Sequence, residues 1–141
     1  MDSGLGVIAE TTDFHEIHDV PVKNELERKF DLPVFAVNDM KAAALAENLY
    51  GVAMRYTDYV YLGITNGIGA GVVINGKLFE GVRGFSSEIG HMVVNHQGER
   101  CSCGSYGCLE LYASVPNLLK KARLDRWDAF LAALDTKDAY C

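Results

Sequence analysis

The chain has 141 residues and a formal net charge of −6, with 49% hydrophobic and 23% charged residues. That is long enough for a domain with its own core, and the acidic balance argues against a nucleic-acid surface on this segment, which would need a basic face. No apolar run approaches a bilayer span, and the N-terminus lacks a basic region followed by an apolar core. The expectation is a soluble, cytoplasmic protein with no membrane partner.

Residues 1–20 mix Gly, Thr, Asp and His without a clear period. From Pro21 to Phe30, Val22, Leu26 and Phe30 recur at four-residue steps, which predicts a short amphipathic helix. "LPVFAVND" follows, and its β-branched and aromatic run predicts a buried strand ending at Asn38 and Asp39. "MKAAALAENLYGVA" is rich in Ala and Leu and predicts a helix, with Gly51 near its end. "YVYLGIT" predicts a second strand. "GAGVVING" and "KLFEG" predict a hairpin turning at Asn75-Gly76. A loop of glycines and cysteines comes next. A helix from about Leu109 to Arg123 and another from about Asp125 to Leu134 close the chain. Helix and strand alternate before a hairpin appears, which predicts an α/β layout with a mixed sheet and flanking helices.

Three of the four cysteines crowd into "GHMVVNHQGERCSCGSYGCLE". Cys101 and Cys103 are too close in sequence to pair comfortably, and nothing points to secretion. Clustered thiols in such a chain more often hold a metal. Cys101, Cys103 and Cys108 with His91 make a closed set of three thiolates and one imidazole, suited to structural zinc. His96 is the rival fourth ligand, and a loop with free thiols is the plainer alternative. Gly98, Gly104 and Gly107 let the backbone turn tightly around one ion. Cys141 stands apart and is expected to be a free thiol.

The metal loop follows "GFSSEIGH" and runs into "CSCGSYGCLELYAS", with "VFAVNDMKAAALAE" and "GIGAGVVINGKLFEG" upstream. This ordered series resembles the family of repressors, open reading frames and sugar kinases (ROK), over roughly Val20 to Arg123. The resemblance implies an actin-like, ribonuclease-H-like α/β fold and a bacterial sugar kinase or sugar-responsive repressor. It assigns zinc to His91, Cys101, Cys103 and Cys108. It also assigns a sugar to Asn38, Asp39, Glu88, His91 and Glu110, in keeping with the ability of carboxylates and an amide to make paired contacts with hydroxyls. In a kinase, Asp39 would be the general base that activates a sugar hydroxyl toward the γ-phosphate of ATP with Mg²⁺.

Each of these residues has a duller explanation. Asn38 or Asp39 can cap the helix that follows, Glu88 can be a solvated loop acid, and Glu110 can be a first-turn acid favoured by the helix dipole. Gly67, Gly69 and Gly71 match the family's second phosphate loop, but glycines between strands also serve plain turns. Asn66 stands where kinases of the family usually carry Thr. Ser87 replaces a glycine or small apolar residue, a swap conservative in size.

The resemblance also implies parts not found here. The Asp-x-Gly-Gly-Thr phosphate loop, the repressors' helix-turn-helix and the final helices and strand are missing, so the chain reads as a fragment. Residues 1–37 would close a first lobe, and residues 38–141 would belong to the larger, zinc-containing lobe. An incomplete sheet predicts self-association. The leading expectation is the effector-sensing part of a repressor, which would meet DNA only through an absent domain. An ATP-dependent sugar kinase is second, with this chain alone inactive, and a zinc module that binds a protein partner is third.

Overall fold

Apolar periodicity and turn chemistry place most of the elements in the computed structural model, which describes residues 2, 4–10, 17–82 and 84–135. Cys141 lies outside the described residues. The chain divides into two units, Met1–Leu62 with Gly69–Glu88 and Gly63–Ile68 with Ile89–Cys141.

The first unit opens with strands β1 (Ile8–Glu10) and β2 (His18–Val20), paired antiparallel with Ile8 opposite Val20 and Glu10 opposite His18. Helix α1 (Val22–Phe30) matches the four-residue spacing. It stops at Asp31, whose backbone is left-handed and whose N–H donates to the Glu27 carbonyl at 2.9 Å. The expected buried strand over residues 32–39 does not form, and Phe35 is 89% exposed. A strand needs a neighbour for its amides. None of the described strands pairs with this segment, and the Val34 N–H is taken by the Glu27 carboxylate at 3.1 Å.

Helix α2 (Asp39–Tyr50) starts at Asn38, whose Oδ1 accepts from the N–H groups of Met40 and Lys41 at 3.0 and 3.2 Å. Strands β3 (Tyr59–Ile64), β4 (Ile68–Ile74) and β5 (Lys77–Leu78) form a sheet in that order. The β4–β5 turn falls on Asn75 and Gly76, with φ of 51° and 71°. Two successive left-handed residues are what a two-residue hairpin needs, and Asn-Gly supplies them. Helix α2 lies close against β4. A Cβ on Gly71 would fall 2.5 Å from the Ala44 Cβ, and Ala44 is fully buried there. The Tyr59 hydroxyl donates to the Ala44 carbonyl at 2.7 Å and ties β3 to the same helix. The expected α/β layout is present, with antiparallel pairing in β1–β2 and β4–β5.

In the second unit a 3-10 turn, Ile89–His91, leads into the cysteine loop. The single helix expected over 109–123 is two helices, α3 (Glu110–Ala113) and α4 (Val115–Ala122), broken at Ser114 with ψ of 154°. Pro116 is the cause, because it has no N–H for the carbonyl four residues back and its ring would collide with it. That carbonyl, on Tyr112, instead accepts from Lys121 Nζ at 3.0 Å. Helix α5 (Trp127–Asp135) stacks Trp127 on Phe130, with ring centroids 5.0 Å apart.

Candidate metal centre

The cysteine loop is closed by backbone pairing. Val93 bridges Cys108, and Arg100 bridges Tyr106. Gly107, with φ of 63°, lies so near the Asn95 carbonyl that a Cβ would sit 1.6 Å from that oxygen, so no other residue fits there. Together these contacts bring the ends of a long loop onto the 3-10 turn that carries His91.

One ligand atom each from His91, Cys101, Cys103 and Cys108 lie within 4.8 Å of one another. Cys103 and Cys108 sulfurs are 3.6 Å apart, and Cys101 Sγ is 3.7 Å from His91 Nδ1. A disulfide would need about 2.05 Å. Ligands held tetrahedrally at about 2.0–2.3 Å from zinc stand roughly 3.5–3.8 Å from each other. The donor set and these two edges therefore fit a zinc-sized ion. His96 lies in an exposed turn outside the cluster, so the histidine of the cluster is His91.

The electrostatics suit a cation. Cys101 and Cys108 are buried and Cys103 is exposed. Burial pushes the Cys101 thiol up to about 12, with the Glu110 carboxylate adding to the shift. Burial also raises Cys108. The Ser105 backbone amide lowers Cys103. Two buried thiols thus stay neutral until a cation makes their thiolates favourable.

Glu110, the first residue of α3, reaches the cluster directly. Its Oε1 accepts from Cys101 Sγ at 3.2 Å and lies 3.4 Å from His91 Nδ1. Its backbone carbonyl accepts from Asn117 Nδ2 at 2.9 Å, which fixes the turn it starts. A Cβ on Gly67, at the β3–β4 turn, would lie 3.4 Å from Glu110 Oε2.

The other residues assigned to sugar belong to the first unit. Asn38 and Asp39 are exposed at the start of α2. The cap uses only the Asn38 oxygen, and Asp39 Oδ1 accepts from the Met40 N–H at 2.9 Å. Glu88 is exposed, and the preceding Ser87 has φ of 63° and a buried hydroxyl with no partner. A non-glycine residue there is strained, so the swap is conservative in size but not in backbone. Gly69 and Gly71 lie on β4, where a Cβ would meet Met40 and Ala44 of α2. Sequence reasoning missed Lys41, a buried lysine in the first turn of α2. Nothing local marks it, because the carbonyls that accept from it belong to Glu80 and Gly84.

The fold and the cluster define an α/β protein with a three-cysteine, one-histidine cluster that could hold a metal ion. The chain belongs to the ROK family, whose model matches residues 2–137. It is 45% identical over 102 residues to the xylose repressor of Bacillus subtilis, covering 72% of this chain and 27% of the relative. A ROK glucokinase from Streptomyces griseus, solved with glucose and AMPPNP, superposes with a TM-score of 0.80 at 32% identity. That match covers 87% of this chain and 39% of the other. A ROK transcriptional regulator homologous to the Escherichia coli MLC protein matches with a TM-score of 0.77 at 34% identity, covering 87% and 31%. The fold is thus part of the actin-like fold of these proteins, and the chain spans between a quarter and two fifths of their lengths.

Proposed function

We propose that this chain is the sugar-sensing part of a ROK transcriptional regulator, with a structural zinc held by His91, Cys101, Cys103 and Cys108. The observation that carries the reading is Glu110 Oε1 packed against two members of the metal cluster, 3.2 Å from Cys101 Sγ and 3.4 Å from His91 Nδ1. A bound cation would orient that acid and His91 toward a polyol while taking no part in chemistry, because four protein ligands leave no open position. Asn38, Asp39 and Glu88 supply the remaining hydroxyl contacts in this reading. Residues 1–37 then end a first lobe and 38–141 belong to the sugar-binding lobe. Sugar occupancy would shift the conformation of the whole regulator, and with it operator affinity. Identity to the xylose repressor and Asn66 in place of a phosphate-loop threonine support regulator over enzyme. Self-association of the chain is part of the same reading, since Val60 and Leu62 of β3 are 58% and 50% exposed.

The second reading is part of an ATP-dependent sugar kinase. The likeness to a glucokinase solved with glucose and AMPPNP favours it. Asp39 would then accept the proton of the attacking hydroxyl, and Gly67 and Gly69 would approach the nucleotide phosphates. Calorimetric titration of the zinc-loaded chain with D-xylose and D-glucose tests the common part of both readings. Binding lost in Asp39→Ala and Glu110→Gln is the expected result. Absence of binding to either sugar by the zinc-loaded chain overturns it.

A further inference from the structure

Lys41 is 4% exposed. Burying an ammonium group is costly unless hydrogen bonds replace its hydration. Among the described residues no carboxylate forms an ion pair with it. Its Nζ instead donates to two backbone carbonyls, that of Glu80 at 3.1 Å and that of Gly84 at a closer distance. These acceptors are 39 and 43 residues away along the chain.

The segment they belong to needs such a tie. Between β5 and the turn at Ile89, the described residues of 79–88 hold no helix or strand, only a bridge from Val82 to Phe85. Gly81 and Gly84 both have positive φ, 70° and 81°. The other bonds that order the segment are short in range. The Ser86 hydroxyl donates to the Phe79 carbonyl at 2.7 Å, and the Phe79 N–H donates to the Val72 carbonyl at 2.8 Å. Lys41 alone among these reaches across to α2, and it grips the segment at Glu80 and Gly84. It also sits in the helical turn begun by Asn38 and Asp39, while Glu88 follows Gly84 by four positions.

We infer that Lys41 is a positioning residue. Its ammonium clamps residues 80–84 onto the first turn of α2 and so sets Glu88 in register with Asn38 and Asp39. The inference rests on the sugar reading proposed above, to which it adds a residue that does not itself touch the ligand. Lysine suits the task because its long stem can be buried while three donors at its tip satisfy carbonyls far away along the chain.

The test uses the zinc-loaded full chain with Lys41→Met, which keeps the stem and removes the donors, and Lys41→Arg, which keeps donors. Hydrogen exchange by mass spectrometry reads the segment, and calorimetry with D-xylose and D-glucose reads the site. In Lys41→Met, exchange over 79–88 rises about tenfold while that of β4 and α5 holds, and sugar affinity falls by a similar factor. Lys41→Arg restores both. Unchanged exchange over 79–88 overturns the clamp, and so does a uniform rise over the whole chain. A local rise with unchanged affinity overturns the positioning role. If the parent binds neither sugar, the sugar reading fails and takes the positioning role with it, while exchange alone still decides the clamp.

Discussion

Removing the metal should unfold the second unit, and Cys103→Ser is the cleanest way to weaken its hold. Among the described residues of that unit, the buried apolar ones are Ile68, Cys101, Cys108 and Phe130. Two of the four belong to the proposed metal cluster, so the cluster makes up much of that core. Structural zinc contributes about 10–16 kcal/mol of apparent binding energy in small domains, whereas a whole domain is stable by only about 5–15 kcal/mol. A unit with so little other core cannot hold its fold when that term is lost. Cys103 is the exposed ligand, so a serine there opens no cavity, and its effect reports ligation alone. Loss of one thiolate should lower zinc affinity by at least about 100-fold, the range seen when even supporting groups are changed. Trp127 is the chain's only tryptophan and stacks on Phe130 in the second unit. Its fluorescence should shift to the red on chelation, together with release of about one zinc per chain to a chromogenic chelator. Chelated protein with an unchanged Trp127 spectrum, or Cys103→Ser protein that keeps zinc as tightly as the parent, would refute the assignment.

Zinc affinity should rise with pH. The thiol of Cys101 lies at about 12 without metal and that of Cys108 is also raised, so both must release protons when a cation binds. Calorimetry in buffers of different ionisation enthalpy should therefore count roughly two to three protons per zinc at neutral pH; a count near zero would contradict buried thiol ligands. Ser87→Gly should stabilise the chain by about 1 kcal/mol in urea unfolding, since it relieves a left-handed backbone and removes an unpartnered hydroxyl. Asn38→Ala should lower stability by about 1 kcal/mol through loss of the α2 cap, and Asn38→Asp should retain it. Thermal melts of the three proteins distinguish this from an Asn38 that serves the ligand alone, for which stability would not change.

What the sequence makes legible here follows from the range of the forces involved. Helix α2 is readable because Ala-rich propensity, an Asn cap and the stop near Gly51 all act within a few residues. The hairpin is readable because Asn75-Gly76 settles its turn alone. The metal set is readable because thiols have few other reasons to crowd into one loop, although spacing leaves His96 as a rival to His91. The fold decides between them, placing His91 in the cluster and His96 in an exposed turn outside it. The break at Ser114 had a local sign in Pro116, which an apolar period overrides on paper but not in a backbone that must satisfy Tyr112. Residues 32–39 show the converse, since strand character is a property of side chains whereas a strand is a property of pairs. Lys41 lies furthest from view, because a lysine in a first helical turn reads as solvated. Its burial is produced by a segment some forty residues away, and no window on the sequence spans that distance. The residues that orient a site are therefore harder to read than those that touch the ligand, because their partners are backbone carbonyls, which every residue type supplies alike.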